Sequence, residues 1–207
     1  MTTKSCLPVL LLLICFCATL SAQREETVLG ERGWGLSGIW GGYTHQYTRY
    51  DDQNAFNGGG FFGFEFGKSL TLGWSHYSLR DDVKLRNNEQ KHLDFKYNGA
   101  KLGYAFIPYK AIHPVLNFEI GKGTAILTDQ ERDRVFVMQP SAGLEINILR
   151  WFRLGLEGGY RFVQNSELIG LSAEELSGPY GQATLKFGFS WGRYHKRAEP
   201  AKKNYEN

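Results

Sequence analysis

His76 and Ser78 stand two positions apart in the run His76-Tyr77-Ser78, so on a strand their imidazole and hydroxyl share one face. A histidine that removes the serine proton makes the oxygen a nucleophile for acyl transfer, provided a carboxylate orients the ring. Glu89 is the candidate for that acid, with Asp81 and Asp82 as alternatives. The plainer reading of the same residues is a histidine and a serine at a membrane boundary, with no shared proton.

A second constellation is broader. Glu65, Asp94, Glu119, Glu145 and Glu157 alternate with apolar neighbours, and so do Lys96, Lys101, Arg153, Arg161 and Lys186. If all ten face one narrow interior, opposite charges pair there and close it, because an unpaired ion would be strongly destabilising. An interior left open would instead make a narrow pore.

Other chemistry finds little support. All three cysteines, Cys6, Cys15 and Cys17, fall at the apolar N-terminus, so the chain beyond it has no thiolate for a metal or a disulfide. The pair Asp51-Asp52 and the mixed charges at 129–134 lack EF-hand spacing, and the glycines at 58–60 form no phosphate loop. No metal and no cofactor is expected. A net charge of +3 and the absence of a recognition motif argue against nucleic acid. The dense charges at 80–91, and a helical turn predicted at 172–176, suit solvated loops or contacts with lipopolysaccharide phosphates.

The elements that would position these residues follow from a rhythm. Leu70, Leu72 and Trp74 alternate with Thr71, Gly73 and Ser75, and Phe152, Leu154 and Leu156 with Arg153 and Glu157. Eight strands are predicted, at 34–47, 57–67, 69–79, 91–106, 112–123, 135–148, 151–163 and 178–191. Links at 67–69, 107–111 and 149–150 are tight; those at 48–56, 80–90, 124–134 and 164–177 are long and polar. Such asymmetry, an even strand count, an uncharged outward face and a charged inward one predict a transmembrane barrel. A soluble barrel would invert the two faces. In the fourth strand the apolar phase passes from Leu93, Phe95 and Tyr97 to Ala100, Leu102 and Tyr104, which predicts a bulge near Asn98-Gly99. Two aromatic girdles are predicted: Trp34, Tyr104, Phe106, Tyr109, Trp151 and Trp191 at the tight-turn end, and Tyr43, Tyr47, Tyr77, Tyr160 and Tyr180 at the other.

The ends complete the scheme. Lys4, an apolar run over 7–20 and the small pair Ser21-Ala22 read as an export signal, 1–22, too short to span a bilayer as a helix. The barrel is expected over 23–191, and 192–207 forms a basic tail with Arg193, Lys196, Arg197, Lys202 and Lys203.

Leader, alternating strands, girdles and a last strand ending in Phe189 and Trp191 together resemble the small outer-membrane barrels of Gram-negative bacteria, the class of the OmpA membrane domain and OmpX. The resemblance implies an all-β, eight-stranded antiparallel up-and-down transmembrane barrel in the cell outer membrane. It also implies a monomer among outer-membrane lipids and lipopolysaccharide, delivered by the barrel-assembly machinery. His76-Tyr77-Ser78 is also similar to the serine-histidine motif of outer-membrane lipid A 3-O-deacylases, which implies lipid A deacylation through Ser78 and His76 as an alternative to a structural or surface-interaction role.

Overall fold

The computed structural model describes residues 35–50, 53–85, 88–127, 132–164 and 172–191, with the side chains at 85 and 88–91 excepted. The expected leader and tail lie outside the described residues. Strands form where the alternation is strongest: β1 (Leu36–Tyr50), β2 (Gln53–Phe66), β3 (Leu70–Leu79), a short β4 (Val83–Leu85), β5 (Asn88–Ala105), β6 (Ile112–Leu127), β7 (Arg132–Leu149), β8 (Phe152–Gln164) and β9 (Gly178–Ser190). One helical turn, α1 (Ala173–Leu176), precedes β9. Ser172 caps it, accepting from the Glu175 backbone N–H while the Glu175 carboxylate accepts from its own.

Every pairing is antiparallel. Successive long strands lie side by side, β1 also pairs β9, and β3 pairs both β2 and β5. The sheet therefore closes as an eight-strand up-and-down barrel, with β4 added beside β5. Closure leaves no long strand with an unpaired edge.

Inside and outside follow from parity. Phe62, Phe64, Leu72, Trp74, Leu102, Leu116, Phe118, Leu144, Leu156, Leu185 and Phe187 stand exposed on the outer wall, whereas Glu65, Lys101, Glu119, Glu145, Arg153, Glu157 and Lys186 are buried. Ile39 and Trp40, adjacent and both large, resolve the same way: Ile39 points out and Trp40 in.

Strand four corrects the expected bulge. The pairings of β5 with β3 and with β6 run without a register shift. Leu93, Phe95 and Tyr97 are buried on the same face as Lys101, so Asp94 and Lys96 point outward and leave the interior charge set. The parity is constant and the surroundings exchange. Toward the loop end the interior is apolar, built from Tyr50, Ala55, Tyr77, Val83, Leu93, Phe95, Tyr97, Ala125, Leu127, Val135, Val137, Val163 and Leu176. The outer wall there carries Arg49, Asp94, Lys96, Arg132 and Arg134, the pattern of a barrel in water. For the same reason the predicted loops at 48–56 and 124–134 are mostly strand: Tyr50 pairs Gln53, and Ile126 pairs Arg132. Tyr77 and Tyr180, assigned to a girdle, are buried inside; Tyr43, Tyr47 and Tyr160 do face out.

Two local geometries allow the tight wall. Gly67 and Lys68 both have positive φ, 54° and 61°, and Ser69 N–H donates to Phe66 O at 3.2 Å, a turn whose twist suits a two-residue hairpin. The unusual Lys68 conformation is held by its N–H donating to Ser37 Oγ at 2.7 Å. Gly99 and Gly121 face each other across β5 and β6; a Cβ on Gly121 would lie 2.0 Å from Asn98 O, and one on Gly99 2.2 Å from Ile120 O. Gly121→Val is therefore expected to block closure: in refolding assays into detergent or lipid it should lose the compact form seen on unheated gels, while Thr124→Val on the outer wall keeps it.

Candidate functional site

The serine-histidine pair is on the wall, not in a pocket. His76 is exposed on the outer face of β3 opposite Gly60 and Asn98, and Ser78 lies opposite Gly58 and Lys96. No hydrogen bond joins the two among the described residues. Ser78 Oγ donates instead to Leu79 O at 3.4 Å. The candidate acids are engaged elsewhere: Asp81 Oδ2 accepts from Phe56 N–H at 2.9 Å, and Asp82 pairs with His92. Glu89 belongs to β5 by backbone, and its side chain lies outside the described residues. The structure thus does not assemble nucleophile, base and acid from the described partners.

The interior is where polar groups converge. Near the turn end, Arg153 Nη1 reaches Glu65 at 3.3 Å and Glu145 at 3.1 Å, Nη2 donates to Ser190 Oγ at 3.0 Å, and its guanidinium stacks 3.8 Å from the Trp40 ring. Lys186 pairs with the second oxygen of Glu145. His113 Nε2 stands 3.5 Å from Glu145, and its Nδ1 lies 3.2 Å from the Lys110 carbonyl. Ser190 Oγ donates to Glu65 at 2.7 Å. A cavity of about 30 Å³ remains among Trp40, Phe61, Glu65, Lys101, Arg153 and Lys186, enough for roughly two waters.

The middle layer holds two further carboxylates. Glu119 accepts from Lys101 at 2.6 Å, Ser75 at 3.0 Å and Tyr77 at 3.1 Å. Among the described residues Glu157 has no cation in hydrogen-bond contact; Asn117, Ser141 and Gln182 donate to its Oε2 at 2.8, 2.7 and 3.2 Å. Above it runs a layer of neutral amides and phenols: Gln46 donates to Gln182, Asn57 and Tyr97 donate to Gln46, and Gln139 donates to Tyr97. These residues were absent from the sequence-based site. They share the parity of the charged set, so extending the inward phase through neutral polar positions would have found them.

Arg161 departs from the expected pairing. It is fully buried, yet it meets no carboxylate among the described residues. Its Nε donates to Leu176 O at 2.8 Å and its Nη2 to Arg49 O at 3.2 Å, while the guanidinium lies over Tyr50 and Phe95 at 4.0 and 5.7 Å. It therefore ties α1 and the end of β1 to the barrel mouth, with aromatic faces in place of an anion. The expected ten-member charge set becomes seven in the polar layers, Arg161 at the mouth, and Asp94 and Lys96 outside, 3.9 Å apart.

With this geometry the fold is that of the small eight-stranded outer-membrane barrels. The sequence matches no protein-family model and no curated protein. Among solved structures it is similar to Neisserial surface protein A, with a TM-score of 0.54 at 10% identity over 74% of this chain and 96% of that one. It is also similar to Ail of Yersinia pestis, with a TM-score of 0.46 at 20% identity over 75% and 97%. A third likeness is to OprG of Pseudomonas aeruginosa, with a TM-score of 0.46 at 9% identity over 77% and 98%.

Two outcomes follow. Glu145→Ala strands Arg153 and Lys186 in the interior and should cost about 3–5 kcal/mol, read from urea unfolding in vesicles by tryptophan fluorescence. Arg161→Ala leaves the Leu176 and Arg49 carbonyls without their donor and should release α1, seen as faster amide exchange over 172–177 with the β6–β7 ladder unchanged.

Proposed function

We propose that the protein is an outer-membrane barrel whose lumen is closed and whose role is structural or surface-interactive, presenting a rigid rim of hairpins outside the cell. The observation that carries this reading is the inverted filling of the barrel. An exposed belt of large apolar side chains surrounds an interior of paired ions and hydrogen-bonded amides. Soluble monomers seldom expose contiguous apolar patches beyond a few hundred Å², and a belt around a whole barrel suits lipid instead. Trp151 stacks on Phe187 at 6.2 Å, and Tyr104 packs on Phe106 at 4.8 Å, as rings at a headgroup boundary would.

The interior supports closure. Its three layers run from the Arg153 cluster through Glu119 and Glu157 to the apolar plug beneath α1, and an ion would have to break several buried pairs to pass. Export by the N-terminal signal and insertion by the barrel-assembly machinery belong to the same reading. The uncommitted surface is then the rim and outer wall, where β1, β2, β6 and β7 extend past the belt as paired strands. Purified protein in planar bilayers should give no steps of nanosiemens order; stable steps of that size would replace the closed barrel by a pore.

A further inference from the structure

The outer wall of β5, β6 and β7 changes character within one residue step. Ala100, Ile120 and Met138 form one outward cross-strand row at the edge of the apolar belt. The next row toward the loop end is Asn98, Lys122 and Phe136, and the one after it is Lys96, Thr124 and Arg134. Lys96 and Arg134 are thus the direct cross-strand neighbours of Thr124, and Lys122 precedes it by two on the same strand. Directly opposed Cβ atoms lie about 5 Å apart and diagonal ones about 7–8 Å. Three long cationic side chains at that spacing converge on one group with several anionic oxygens, and the Thr124 hydroxyl adds a donor.

The surroundings sharpen the pattern. The row further on is Asp94, Ile126 and Arg132, one charge of each sign, and β3 runs into the exposed Arg80. On β8 and β9 the corresponding outward residues are Phe162, Gln164, Pro179 and Gly181, all uncharged. Among the described residues no carboxylate comes within ion-pair distance of Lys122, Arg134 or Arg80. Lys96 meets Asp94 only at 3.9 Å, with both side chains about half exposed. Cations seated directly on an apolar wall fit a ligand that is greasy below and anionic above. A soluble anion would use the upper half alone.

We propose that this wall binds the phosphates of a phosphorylated glycolipid of the lipid A type in the outer leaflet, its acyl chains lying along Phe118, Ile120 and Met138. Lys96, Lys122 and Arg134, in two adjacent rows, exceed what one phosphodiester needs and suit a headgroup with more than one phosphate. The proposal rests on the membrane reading above and names the lipid that reading would place against this sector.

The test uses the folded full-length barrel in zwitterionic detergent, scored by native mass spectrometry for bound bisphosphorylated lipid A, dephosphorylated lipid A and phosphatidylglycerol. Wild type should prefer bisphosphorylated lipid A to the other two by about tenfold, and Lys122→Ala/Arg134→Ala should remove that preference. Lys110→Ala, in a link at the turn end, should retain it, and inorganic phosphate should not compete. Equal binding of the three lipids by wild type, or an unchanged preference in the double variant, overturns the site. If phosphatidylglycerol is taken up as well as lipid A, the glycolipid assignment falls. Insertion into phosphatidylcholine vesicles separates the two readings: a barrel that inserts without the preference loses only the site, and one that fails to insert loses both.

Discussion

Four carboxylates inside a narrow closed wall set the terms for everything else. Glu65, Glu119, Glu145 and Glu157 are all buried, and each ion taken from water costs several kcal/mol unless donors replace its hydration. The donors come from many strands. Glu145 on β7 takes Arg153 from β8 and Lys186 from β9; Glu119 on β6 takes Lys101 from β5 with Ser75 and Tyr77 from β3. Glu157 on β8 takes Asn117, Ser141 and Gln182 from β6, β7 and β9. Glu65 on β2 reaches across to Arg153 and Ser190. Satisfying four acids therefore fixes the relation of most of the wall. Because side chains alternate, slipping one strand by one residue would put its charges in the belt and its leucines in the network. Register here is an electrostatic property as much as a backbone one.

The same parity, carried past the belt, builds a second kind of barrel on top of the first. Within the belt the outside is apolar and the inside ionic; beyond it, Phe95, Leu127, Val135 and Val163 are inside, and Lys96 and Arg134 outside. No bulge is needed for the exchange. A single unbroken ladder serves both, and the height at which the pattern inverts marks where the surroundings change from oil to water. Arg161 lies buried inside the upper barrel, its charge set against two aromatic faces and two carbonyls.

Most of this was legible in the sequence because alternation needs only local information. The strands, the tight turns, the outward Leu/Phe sets and the inward acids all come from parity, and parity survives small errors in strand ends. Two things were not legible. Strand length past the belt was hidden because charge was equated with loop, as at Arg49, Arg132 and Arg134, and Asp94 and Lys96 were placed inside because a charge within a strand was equated with the lumen, although both stand on the wet outer face. The neutral polar layer of Gln46, Asn57, Tyr97 and Gln139 was hidden because its members acquire meaning only when brought together across the lumen. Tyr77 shows both effects: an aromatic near a strand end suggests a girdle, but its hydroxyl donates inward to Glu119.

An interior spent on its own neutralisation leaves little there for a ligand. Glu65, Glu119, Glu145 and Glu157 each already have two or more donors, and the cavity beside the Arg153 cluster has room for only about two waters. A substrate entering would have to displace Arg153 or Lys101 from its carboxylate and leave an ion uncompensated, a penalty of about 3–5 kcal/mol before any contact is gained. The outer surface carries no such penalty: Lys96, Lys122 and Arg134 stand exposed on it, next to the apolar row of Ala100, Ile120 and Met138. In the role proposed above, recognition belongs to the wall and rim, where the unbroken β5–β6–β7 ladder sets the spacing of Lys96, Lys122, Thr124 and Arg134.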